Sequence, residues 1–66
     1  MTISLNGETA EARDAETIAD LVERYQLPQK SILVEHNGLA LRRQEWGERL
    51  LAEGDRVEFV RMVAGG

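Results

Sequence analysis

Glu53-Gly54-Asp55-Arg56-Val57-Glu58-Phe59-Val60-Arg61-Met62-Val63-Ala64-Gly65-Gly66 is the final stretch of the sequence, and its reading decides the fold. Glu53 to Arg56 is a turn. After it, Val57, Phe59, Arg61 and Val63 point one way along an extended chain and Glu58, Val60 and Met62 the other. β-forming side chains on both sides mark a central strand. With only Ala64 between, that strand runs into Gly65-Gly66.

A central strand needs neighbours. Thr2-Ile3-Ser4-Leu5 alternates polar and apolar, and Asn6-Gly7 follows, the pair that best tolerates the positive φ of a tight hairpin. The hairpin spans Thr2 to about Ala12. Its return strand, Glu8 to Ala12, is polar and poor in β-branched residues, as suits a charged edge. The first and last strands are the natural centre of the sheet.

Ile18, Leu21, Val22 and Tyr25 recur at i, i+3, i+4 and i+7, one apolar stripe of a helix over about residues 16–25. Thr17 followed by Asp20 is a loose capping box, with negative charge where the helix dipole is positive. Leu27-Pro28 stops it. Ile32-Leu33-Val34, the turn His36-Asn37-Gly38 and Leu39-Ala40-Leu41 make a second hairpin. Arg42 to Leu51, anchored by Trp46, Leu50 and Leu51, holds a short helix interrupted near Gly47. One real helix among these strands is an α+β fold, a mixed sheet with its helix packed across one face.

Sixty-six residues allow one domain. At this size about 60% of the extended chain's surface is buried on folding, which leaves little room for an internal cavity. Eight Lys and Arg stand against 12 Asp and Glu, a net charge of -4. That balance argues against nucleic acid and anionic membrane and favours a basic protein partner. Basic character is confined to the second half: residues 1–30 carry 6 acidic and 3 basic side chains, 31–66 carry 6 and 5. No Cys is present, which removes disulfides, thiolate nucleophiles and Cys-based zinc sites and fits a reducing cytoplasm. Neither a signal segment nor an apolar run of membrane-spanning length is found.

Catalysis by the chain itself finds little support. The only His, His36, sits in a turn with no second His and reads as a solvated polar residue. Ser4 and Ser31 have no evident base, and no glycine-rich phosphate loop opens a helix. Glu8 with Glu11, and Asp14 with Glu16, read as solvated charge, since acid and base roles need burial to separate their pKa values. No metal site is expected.

Gly65-Gly66 is a frayed end, an expression remnant, or a functional tail. A Gly-Gly tail is thin enough for a partner's groove to close round its backbone, and it offers its α-carboxylate to another active site. A carboxylate is a poor acyl donor because its leaving group is oxide. Adenylation by ATP supplies a better one, which sulfur can displace. In a chain without Cys, any sulfur carried sits on that terminal carbonyl.

The chain resembles the ThiS family, sulfur carriers of thiamin biosynthesis within the β-grasp (ubiquitin-like) ThiS/MoaD superfamily. The resemblance rests on Ile3-Ser4-Leu5-Asn6-Gly7, Thr17-Ile18-Ala19-Asp20-Leu21-Val22, Val34-Glu35-His36-Asn37-Gly38 and Arg43-Gln44-Glu45-Trp46. To these it adds Glu53 to Val60 and Val63-Ala64-Gly65-Gly66, and so covers the whole chain. It implies a β-grasp domain over 1–66 with a flexible tail at 64–66, monomeric when isolated and cytoplasmic. It implies a protein cosubstrate rather than an enzyme, with no cofactor of its own.

On that resemblance, a ThiF-type adenylating enzyme similar to the ubiquitin activators uses ATP on the Gly66 carboxylate. A cysteine desulfurase supplies sulfur for the thiocarboxylate, and a ThiG-type thiazole synthase accepts it. Gly66 is the modified residue, with Gly65 and Ala64 its slender approach. Val60, Arg61 and Met62 are interface candidates by analogy, or else core or solvated strand. The alternatives are another acceptor (molybdopterin synthase, amino-acid synthesis or tRNA thiolation) or a β-grasp interaction module without chemistry. Lys30 is the only lysine, which disfavours ubiquitin-like chains and suits a carrier.

Overall fold

The computed structural model describes residues 1–62. Strand β1 (Thr2–Leu5) turns into β2 (Glu8–Glu11), helix α1 (Ile18–Arg24) follows, and a 3-10 turn (Gln29–Ser31) leads into β3 (Ile32–His36). Strand β4 (Leu39–Leu41), a 3-10 helix (Arg43–Glu48) and β5 (Arg56–Arg61) complete it. The sheet order is β2-β1-β5-β3-β4. β5 is therefore central, as its composition requires, and β2 is an edge. β1 and β5 are parallel while every other pair is antiparallel. This is the α+β, β-grasp arrangement expected from the sequence.

Local chemistry explains the elements. Thr17 Oγ1 accepts from the Asp20 N–H at 3.2 Å, and Asp20 Oδ2 accepts from the N–H groups of Thr17 at 3.1 Å and Glu16 at 2.9 Å, so the capping box is closed. Those two backbone donors hold the Asp20 carboxyl below its ordinary range. The stripe buries Ile18, Leu21 and Val22 against Ile3, Val34 and Val57. Tyr25, at the helix C-cap, stays half-exposed and meets Phe59 edge-on, ring centroids 6.3 Å apart.

Both hairpin turns do more than reverse the chain. Asn6 and Asn37 each adopt φ 52° ahead of a left-handed glycine. β1 pairs with β5 only as far as Leu5 opposite Val57. Beyond that point Asn6 Oδ1 accepts from the Phe59 N–H at 2.8 Å, and on the other side Asn37 Oδ1 accepts from the Arg56 N–H at 2.8 Å. Each asparagine side chain thus extends the ladder past the end of its own strand. Asn6→Ala loses the acceptor and strains the turn, an expected cost of about 2 kcal/mol. Asn6→Gly, which keeps the geometry and loses only the acceptor, costs about 1 kcal/mol. Urea unfolding midpoints distinguish the two.

Three expectations need correction. The segment Arg43–Glu48 is 3-10 and runs through Gly47 without interruption. Leu50 is no anchor: it is 70% exposed while Leu51 is buried, because the Leu51 N–H bonds Glu16 O at 2.9 Å and turns the neighbouring side chain outward. β5 is central in the strand order but covered on one face only, so Val60 and Met62 lie exposed. Among the described residues, no helix is long and apolar enough to cross a membrane.

Candidate functional site

β5 carries the chain toward Gly66. Among the described residues, the last backbone anchor after it is the Met62 N–H donating to Ser31 O at 2.7 Å. Ala64, Gly65 and Gly66, and with them the expected tail, lie outside the described residues.

The strand period separates the candidates that precede them. Val60 and Met62, at 44% and 42% exposure, lie on the open face of the sheet, where Leu33, at 48%, pairs with Val60. Together they form an apolar patch beside the chain's exit. Arg61 points to the opposite face, in a groove of about 390 Å³ shared with Glu8, Tyr25 and Phe59. The three consecutive residues therefore do not present one surface.

A second groove, of about 510 Å³, adjoins the apolar patch. Leu33, Trp46 and Met62 line it, and Lys30, Arg42 and Arg43 contribute cations. Arg43 Nη2 donates to Gln29 Oε1 at 3.1 Å, which ties the two 3-10 segments together. Trp46 is buried, and its indole Nε1 finds no hydrogen-bond partner among the described residues. Such an orphan donor costs about 1–3 kcal/mol. Nothing in the sequence groups Lys30 with Arg42 and Arg43, because they come from separate segments that only the fold brings together.

His36 departs from its expected solvated state. It closes β3 at 5% exposure, on the core side, because Asp55 reaches back to it from the turn before β5. Asp55 Oδ2 lies 2.7 Å from His36 Nε2, and Arg49 Nε donates to His36 Nδ1 at 3.1 Å. An arginine Nε always donates, so Nδ1 is the acceptor and Nε2 carries the proton. The contact with Asp55 is then a hydrogen bond from a neutral imidazole rather than an ion pair. Asp55 also accepts from Asn37 Nδ2 at 3.1 Å and from the Ala52 N–H at 2.8 Å.

Burial raises the Asp55 pKa, but the hydrogen bonds from His36, Asn37 and Ala52 outweigh it and hold the carboxyl below its ordinary 3.8. His36 is buried, with both ring nitrogens engaged within the fold. The network is a brace joining the second hairpin to β5.

The remaining carboxylates stay at the surface. Glu8, Glu11, Asp14 and Glu16 are all exposed. Glu11 Oε1 sits 2.6 Å from the Met1 ammonium, a hydrogen bond that holds Glu11 below its ordinary range and the ammonium above its own. Among the described residues, no cluster of three His, Cys, Asp or Glu side chains is placed to hold a metal.

Comparison with known proteins agrees with this architecture. The ThiS family model matches residues 3–66. The sulfur carrier protein ThiS of Bacillus subtilis is 35% identical over 65 residues, covering 97% of this chain and 98% of that one. A crystal structure of a thiamine biosynthesis protein (ThiS) from Geobacter metallireducens superposes with a TM-score of 0.84 at 29% identity, covering all of both chains. A solution structure of a thiamine biosynthesis protein from the same organism gives 0.78 at 29% identity, over all of this chain and 88% of that one. A sheet built round β5, a family match that runs through Gly66 and a relative alike over nearly its whole length lead to one conclusion: the chain belongs to the ThiS family.

Proposed function

We propose that this protein carries sulfur for thiamin biosynthesis as a thiocarboxylate on Gly66. The sulfur-carrier role follows from the family, and the chemistry follows from what the chain does and does not supply. The Gly66 carboxylate attacks the α-phosphorus of ATP on a ThiF-type adenylating enzyme, and pyrophosphate leaves. The terminal sulfur of a desulfurase-derived persulfide attacks the acyl carbon, AMP leaves, and reductive cleavage of the S–S bond by a thiol frees the thiocarboxylate. A ThiG-type thiazole synthase takes that sulfur. ATP binds the activating enzyme, and this chain acts as cosubstrate.

The observation that carries the reading is the delivery of the chain. The central strand is held on both sides and anchored at Met62, four residues before Gly66, next to an exposed apolar patch of Leu33, Val60 and Met62. Exposed apolar side chains grouped at one place mark an interaction surface, and the adenylating enzyme is its proposed occupant. The role of cosubstrate is supported by the engaged nitrogens of His36, the absence of Cys and the surface position of the candidate carboxylates. Incubation with ATP, the adenylating enzyme, cysteine desulfurase, cysteine and a thiol, followed by intact-mass measurement, tests it. A sulfur-for-oxygen gain confined to Gly66 is expected. Failure to form either adenylate or thiocarboxylate overturns the chemistry, and sulfur delivery to a molybdopterin synthase subunit but not to thiazole synthase overturns the acceptor.

A further inference from the structure

We propose that the cationic groove beside Met62 receives an acidic segment of the adenylating enzyme, an apolar side chain flanked by carboxylates. This rests on the reading of Gly66 as that enzyme's substrate. The chain as a whole has a net charge of -4, yet Lys30, Arg42 and Arg43 line this groove and no carboxylate does. Among the described residues, none of the three forms an ion pair. Carboxylates collect elsewhere: Asp14, Glu16, Asp20 and Glu23 line a separate surface around the start of α1. The charge of the molecule is therefore segregated, and the groove has the sign opposite to the whole.

Reach ties the groove to the chemistry. Gly66 is four positions on from Met62, and a fully extended chain spans at most about 3.6 Å per residue, so Gly66 lies no more than about 14 Å beyond Met62. An enzyme that brings its reacting centre to Gly66 must approach within that distance of Met62, and Met62 itself lines the groove. The docked surface thus extends over the groove. Leu33, Trp46 and Met62 offer an apolar side chain a place to bury, and the three cations offer carboxylates partners. Complementary charge at an interface acts through encounter rate and orientation and weakens as salt rises. On this surface the partner's contact segment is acidic, although the chain's overall acidity favours a basic partner.

The test is a triple charge reversal, Lys30→Glu, Arg42→Glu and Arg43→Glu, assayed with the adenylating enzyme of the same organism by carrier-dependent exchange of pyrophosphate into ATP. The KM for the carrier is expected to rise about tenfold or more with kcat near wild type. Salt should raise the wild-type KM and lower that of the variant, whose groove then repels the partner's carboxylates. Arg13→Glu, a reversal outside the groove, should leave KM unchanged, and the charge-preserving set Lys30→Arg, Arg42→Lys and Arg43→Lys should stay near wild type.

Thermal unfolding and Trp46 emission check the fold. If the triple variant does not fold, the single reversals take its place, and each should move KM in the same direction. Exchange by wild type with an unchanged KM in the reversed variants overturns the groove alone. No exchange by wild type overturns the Gly66 reading and the groove with it. If removing residues 63–66 shifts the Leu33 methyl and Trp46 indole resonances of the isolated protein, the groove belongs to the chain's own tail and the proposal fails.

Discussion

Removing Gly66 abolishes adenylation and thiocarboxylate formation while leaving the fold intact; this is the largest effect expected of any single change. The truncated chain still ends in a carboxylate, but that group falls short by one residue, about 3.3 Å. A misplacement of 1 Å can already cost about a hundredfold in rate. Adding one residue after Gly66 has the same outcome for a different reason: the Gly66 carbonyl becomes an amide, with no carboxylate oxygen to attack ATP. Among the described residues the core is built between Ile3 and Phe59 and the last backbone anchor is at Met62, so neither change should move the urea midpoint. Intact mass after reaction with ATP and the adenylating enzyme gives the answer. Wild-type modification of the extended chain would overturn the assignment of the chemistry to the Gly66 carboxylate, and no modification of either chain would favour a β-grasp module without chemistry at its end.

The second large effect is on stability. Asp55→Ala should cost about 3 kcal/mol, because it removes a charged acceptor of three hydrogen bonds and leaves the N–H of a buried His36 unpaired. A domain of this size has roughly 3–10 kcal/mol in total, so the variant is expected to be partly unfolded at room temperature. Trp46, the only tryptophan and a buried one, reports it through a red-shifted emission.

The pH dependence carries the same signature. A carboxyl held below its ordinary value binds fewer protons folded than unfolded. Its stabilisation is complete above the ordinary 3.8 and is lost as pH falls through the lower folded value. Wild type should therefore lose stability below about pH 4 more steeply than Asp55→Asn, which has no such group to titrate. Equal slopes for the two proteins would show that the brace contributes nothing through ionised Asp55.

What the sequence reveals here is set by distance along the chain. Asn6-Gly7 and the Thr17–Asp20 box act within a few residues, and both are legible as written. Burial of His36 is not, since its partners stand 13 and 19 residues away and an isolated Asn-Gly turn gives no sign of them. Leu33, Val60 and Met62 read as strand formers whether or not a layer covers them, so the apolar patch appears only once α1 is seen to cover one side of the sheet. Leu50 and Leu51 are equivalent as letters, and a bond to Glu16 decides which turns inward. The chemistry proposed for Gly66 needs only the end of a strand and two small residues, so it can be put forward from the sequence alone. The basic groove cannot, because the fold must first bring Lys30 beside Arg42 and Arg43.

The position of β5 also has a mechanical consequence. Ladder bonds run across the strands, so a force along a strand loads many of them together in shear, whereas a force across it opens them one after another. β5 is paired with β3 from Arg61 back to Val57, with β1 on its other flank, and with both asparagine side chains. A force applied at Met62 along the strand loads it in shear. Such a load is then shared along the whole ladder, and the described fold resists being unravelled from that side.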